Sequence, residues 1–239
     1  MLEKALRFLT ECKENKTYEI DGFTYSDHRL ERITPPIYRP DRYNVTSLSA
    51  LVKLIKAEID KVRDQPLFVR VTGPTSVTVD ASLDDHMCRD QFFSASCEDA
   101  NFKPGWRSHE EAIIQLQSIF LPTADSAYLL DLLRRVSVED GVTSHDNGVS
   151  QTVVAKQGVS LKSAESIRNI VNLKPFRTFR EVPQPESQFL LRVDDKGSIG
   201  LLEADGGVWK MEAKAEIAKL LSKELRELIA EGLVVVLEG

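Results

Sequence analysis

The densest cluster of side chains able to hold a metal is DDHMCRD, which brings together Asp84, Asp85, His86, Cys88 and Asp90. Zinc takes carboxylate, imidazole and thiolate donors, but a closed site needs a second ligand pair at recognisable spacing. His109, Glu110 and His145 are too scattered to supply it, and neither Cys88 nor Cys97 belongs to a CxxC. The cluster therefore reads as a polar turn between strands, and no metal and no cofactor are expected. SHDNG places His145 beside Asp146, the residue types of an acid–base pair. Neighbours in sequence seldom face each other, however, and Asn147-Gly148 is ordinary turn chemistry. ADGG at 204–207 lacks the GxGxxG and GxxxxGK[ST] spacings of a phosphate loop, and Ser144, Ser150 and Cys97 sit in no nucleophile signature. The expectation is that the chain is not an enzyme.

A different chemistry is suggested by FRTFREVPQPESQFLLRV at 176–193, where aromatic and basic residues interleave as on sheets that stack bases beside phosphate-binding arginines. Strand side chains alternate faces, so a regular strand sends Phe176 and Phe179 to opposite sides and splits that platform. The stretch is expected to form two strands, FRTFREV and SQFLLRV, joined by a corner that Pro183 and Pro185 stiffen. The alternative is a basic patch for single-stranded nucleic acid or a nucleotide, made by Arg168, Lys174, Arg177, Arg180 and Arg192. A net charge of −6 opposes general attraction to polyanions but leaves the local distribution open.

The elements that would carry these residues follow from periodicity. Leu2, Ala5, Leu6 and Leu9 recur at helical spacing, predicting a first helix over 2–13. Asp21-Gly22 between β-rich runs predicts a hairpin. Pro35, Pro36 and Pro40 favour an extended crossing. Leu48, Leu51, Leu54, Ile55, Ile59 and Val62 form one apolar stripe behind a Thr46 or Ser47 cap. The runs LFVRV, SVTVDASL and DQFFSASCE predict a meander. Ser108 and Glu111 fit a capping box, and Asp125 or Ser126 a second helix start. SQTVVAK and SIGLLEA read as strands, 212–230 as a helix that Gly232 ends, and LVVVL as a closing strand. The hairpins at 67–79 and 189–201 superpose without gaps, matching Arg70 to Arg192, Val71 to Val193 and Ser76 to Ser198. The fold class is α+β, antiparallel sheets packed with amphipathic helices. Residues 1–136 form an amino-terminal part, 137–168 an irregular excursion or boundary, and 169–239 a strand-rich carboxy-terminal part, all within one domain or as two.

Three cysteines give no disulfide framework, and no apolar run approaches a membrane span, so a cytoplasmic protein without membrane contact is expected. The apolar closing strand can add to an open sheet edge. A homo-oligomer interface is accordingly expected from Leu233, Val234, Val235, Val236 and Leu237, with Trp209 as a core or interface anchor.

The runs NLKPFRTFREVPQPESQFLLRV, EADGGVWKMEAKAEI and HDNGVSQTV together resemble the YfdQ-like proteins of bacterial prophages, whose function is unknown, over residues 145–220. That resemblance implies a phage-encoded protein of the host cytoplasm and transfers no catalytic residue. The combined expectation is a non-enzymatic accessory protein that self-associates.

Overall fold

A computed structural model describes residues 2–4, 16–26, 32–33, 41–62, 65–84, 87–98, 102–135, 142–146, 151–157, 160–161, 165–194 and 198–238. The chain divides into two compact units, Met1–Pro40 and Asp41–Gly239, and residues 137–168 lie inside the second.

The first unit holds β1 (Thr17–Ile20), β2 (Phe23–Ser26) and β3 (Arg32–Ile33) in one antiparallel sheet, in that order. Asp21 and Gly22 have φ of 53° and 77°, so both central residues of the turn adopt the positive φ that matches strand twist in a tight hairpin. Of the expected first helix, residues 2–4 are helical; its remainder and Pro35, Pro36 and Pro40 lie outside the described residues.

The second unit is α+β, as its patterning predicts. The expected meander is present as β5 (Leu67–Gly73), β6 (Ser76–Leu83) and β7 (Arg89–Ser96). Each side of it gains a parallel strand: β4 (Tyr43–Val45) pairs with β7, and β17 (Val234–Glu238) pairs with β5. The sheet is therefore mixed, not purely antiparallel. Alternation sends Leu67, Val69 and Val71 of β5 and Val77 and Val79 of β6 to one buried face. Against that face lie Leu48, Leu51 and Ile55 of α1 (Leu48–Glu58) and Ile217 and Leu221 of α4 (Trp209–Glu224). Burying each such leucine or isoleucine contributes about 1.5–3 kcal/mol. Ser47 caps α1 by accepting the Ala50 N–H at 3.2 Å.

The second sheet runs β8 (Gly105–Arg107), β16 (Ile199–Glu203), β15 (Ser187–Val193), β14 (Ile170–Pro175), β9 (Phe120–Leu121), antiparallel throughout. Val171, Leu173, Phe189, Leu191, Val193, Ile199 and Leu201 face a separate core built with α2 (His109–Ser118) and α3 (Ala124–Arg135). Phe102 packs edge-on against Phe120 and Phe189, with ring centroids 5.1 and 5.5 Å apart. The Ser108–Glu111 capping box opens α2, both of its hydrogen bonds being formed. At α3 the cap is Thr123, whose Oγ1 accepts from the Ser126 N–H at 3.0 Å while the Ser126 hydroxyl accepts from the Thr123 N–H. Asp125, an expected cap, instead accepts the Asn172 N–H at 2.7 Å and so ties α3 to β14.

Within 137–168, β11 (Gln151–Gln157), the expected SQTVVAK strand, pairs with β10 (Val142–Asp146), β12 (Ser160–Leu161) and β13 (Glu165–Ile167). The final helix begins at Trp209, three residues before the expected 212, and is followed by the short α5 (Arg226–Ala230).

Candidate interaction surfaces

The first strand expected in FRTFREVPQPES is absent. β14 ends at Pro175, and residues 176–186 form an irregular connection. A strand would leave the backbone to a neighbouring ladder; here one side chain serves it. The Gln184 carbonyl oxygen accepts the N–H groups of Arg177 and Thr178 at 3.0 and 3.2 Å, and its amide donates to the Phe179 carbonyl at 3.0 Å. Strand alternation is thereby lost, and Arg177, Thr178 and Phe179 are all buried in succession. Phe179 and Val182 insert into the first core, and Thr178 donates to the Pro74 carbonyl in the β5–β6 turn at 2.5 Å. Glu181 accepts the Ser49 N–H at 3.3 Å. The connection is a strap that leaves the second sheet and fastens the first.

Arg177 anchors the strap. Its guanidinium donates to Glu203 Oε1 at 3.1 Å and to the Ser187 hydroxyl, and lies 3.9 Å from the centroid of the Trp209 ring. Only 3% of its surface is exposed, and burial lowers its pKa to about 10 against the opposing charges of Glu203, Asp205 and Glu212. Asp205 accepts the Gly207 N–H at 3.0 Å at the start of α4. Burial acts to raise the Asp205 pKa, but hydrogen bonds from Ser187, Gly207 and Trp209 and the charge of Arg177 hold it below the ordinary aspartate range.

The five basic residues of the expected patch are thus dispersed. Arg177 is enclosed. Arg168 pairs with Asp125 at 3.2 Å and lies over the Tyr128 ring, and Lys174 pairs with Glu186 at 3.1 Å. Arg180 lies over Phe176, as a shared face would have it, though in the connection and not in a strand. Arg192 sits on β15 and donates to the Leu191 carbonyl.

The expected oligomer residues also divide. Trp209 is 8% exposed and its ring is covered by Arg177, so within this chain it is enclosed against the strap. Val234 is buried in the first core, with Leu233 and Val236 packed against that core, whereas Val235 and Leu237 are exposed. β17 uses one edge for the ladder to β5; among the described residues no strand pairs with the other.

In the DDHMCRD turn, Asp84 Oδ1 accepts the Cys88 N–H at 2.7 Å, which accounts for that carboxylate within a β6–β7 connection. Asp85, His86 and Asn147-Gly148 lie outside the described residues, as do the side chains of His145 and Asp146. His109 Nε2 lies 2.7 Å from the Leu133 carbonyl, joining α2 to α3.

One surface was not singled out from sequence. Cross-strand register sets Arg192, Gly200 and Trp106 in one row, and Ile170, Leu190 and Leu202 in the next, on the face of the second sheet opposite its core. A Cβ at Gly200 would lie 3.1–3.2 Å from three ring atoms of Trp106, so the indole rests on the sheet backbone and a side chain there would make it shift by a few tenths of an ångström. Trp106 nevertheless stays 47% exposed, beside Leu202 at 36% and Ile170 at 54%. The available signal was Gly200 inside a strand pattern, since such a glycine marks close approach of another group.

No protein-family model matches the chain, and no curated protein or solved structure shows significant similarity to it. Among the described residues no helix is long and apolar enough to cross a membrane.

Proposed function

We propose that the protein is a non-enzymatic accessory protein that acts by self-association into a homo-oligomer. Its resemblance to the YfdQ-like prophage proteins supports a phage origin and a place in the bacterial cytoplasm. The observation that carries self-association is the outer edge of β17. This edge presents Val-Val-Val-Leu without proline, lysine or bulge, the devices by which proteins usually blunt an exposed strand. Addition of a strand from a second copy would satisfy its free backbone groups, while Val235 and Leu237 supply apolar contacts at the seam.

Light scattering from the untagged protein tests this. A discrete multiple of 26.9 kDa is expected, reduced to the monomer by Val235→Lys with Leu237→Lys, because both side chains are exposed and charge there disfavours edge pairing without entering the core. A monomeric mass for the unsubstituted protein at micromolar concentration would end the reading.

A further inference from the structure

We infer that the β17 edge takes the β17 edge of a second copy, paired antiparallel about a two-fold axis at Val236. This rests on the proposed self-association and fixes its geometry.

The ladder to β5 decides which backbone groups are open. The Leu67 N–H donates to the Leu233 carbonyl at 2.9 Å, and β17 continues parallel to β5 with Val234 beside Leu67 and Val236 beside Val69. Peptide groups of successive residues point to alternate sides of a strand, so Leu233, Val235 and Leu237 turn their N–H and C=O toward β5. Val234, Val236 and Glu238 turn theirs away, and among the described residues no strand meets them. Those groups call for hydrogen-bond partners.

A closed dimer built from one edge used twice has a two-fold axis, and an axis normal to the sheet makes the new pair antiparallel. Residues directly opposite in an antiparallel pair are alike, both bonded across the seam or both not, so the axis passes through a residue and not between two. Centred on Val236, the register sets Val236 against its own copy and Val234 against Glu238 of the second copy. All three outward residues of each strand are then engaged, giving about six hydrogen bonds. Centred on Val235, Glu238 would meet Gly232, whose φ of 74° takes it out of the strand. Centred on Leu237, the seam would bring the two Glu238 side chains within about 7 Å along the strand, whereas at Val236 they stand about 14 Å apart. The side chains agree. Val235 faces Leu237 of the second copy in a non-bonded pair, where Cα atoms approach to about 4.5 Å, and both are exposed in the single chain. The other edge of this sheet, β4, offers only Tyr43–Val45, and joining it to β17 head to tail would leave an edge open at each end of a growing chain. The two-fold instead continues two five-stranded sheets as one.

The test is disulfide trapping with Val235→Cys and Leu237→Cys, each purified alone and the two co-expressed. Every linkage is located by peptide mass, which separates it from links made by native Cys12, Cys88 and Cys97. Opposite positions fall within the Cα range of a disulfide, about 4.4–6.8 Å, whereas diagonal ones lie about 7–8 Å apart. A link between positions 235 and 237 is expected in the co-expressed sample, with little linkage in either variant alone. Self-linkage of Val235→Cys or Leu237→Cys would overturn the register and move the axis to that residue. No linkage at either position in a particle that light scattering finds multimeric would overturn the seam and leave self-association to another surface. A monomeric unsubstituted protein would end the proposed function and this inference with it. Because both side chains are exposed, the reduced variants should keep the circular dichroism and particle mass of the unsubstituted protein.

Discussion

The hairpins β5–β6 and β15–β16 share a register position for position and differ in what they do with their open faces. Val69 pairs with Val79 as Leu191 pairs with Leu201, Arg70 with Thr78 as Arg192 with Gly200, and Val71 with Val77 as Val193 with Ile199. In the first hairpin Arg70 is held by Asp80 at 2.6 Å, and threonine stands opposite the arginine. In the second the position matching Asp80 is Leu202, and the position matching Thr78 is Gly200. Two changes on one scaffold thus convert a face closed by an ion pair into one that seats a tryptophan. The likeness stops at the hairpin: β5 has parallel β17 as its other neighbour, whereas β15 has antiparallel β14.

The second sheet also carries the more consequential ion pair, and removing it should have the largest effect. Arg177→Ala removes a buried side chain that bonds Glu203 and Ser187 and covers Trp209, so a loss of about 2–5 kcal/mol, the range for truncating a buried side chain, is expected from denaturant titration. Gly200→Thr imposes the first hairpin's residue on the second. It should cost about 1–3 kcal/mol through overpacking, with a red shift of indole emission as Trp106 leaves its seat; an unchanged spectrum would refute the seating argument. Asp80→Ala should cost about 1 kcal/mol, because Arg70 is half exposed and recovers water while a buried carboxylate is lost. Leu202→Asp, which copies Asp80 into the second hairpin, should change stability by less than about 1 kcal/mol at this partly exposed site.

Local signals in the sequence were reliable where the structure keeps its interactions local. Ser47, the Ser108–Glu111 box and Asp21-Gly22 act within a few residues, and the patterning around them placed two helix starts and a hairpin turn correctly. The common hairpin register was likewise visible, because alternation fixes which residues face the core. FRTFREV misled for the opposite reason. Its alternation predicts a strand, but Gln184 satisfies the backbone that a sheet neighbour would have served, and Phe179 belongs to a core assembled from distant strands. Trp209 read as an anchor, yet Arg177, the residue covering it, lies in a separate part of the chain. The five basic residues do not come together as one open cluster, because Asp125, Glu186 and Glu203 pair individually with Arg168, Lys174 and Arg177. Trp106 was passed over because its partner, Gly200, is informative only once β8 and β16 are paired.

The ladder between β5 and β17 joins Leu67 to Val234 across most of the chain. As the polypeptide emerges from the ribosome, β5, β6 and β7 can pair at once, but one side of β5 stays unfilled until residues 234–238 have been made. Closing so long a loop is entropically costly and slow compared with zipping a hairpin. The nascent first sheet therefore spends most of synthesis with an apolar border open to chaperones or to other unfinished chains.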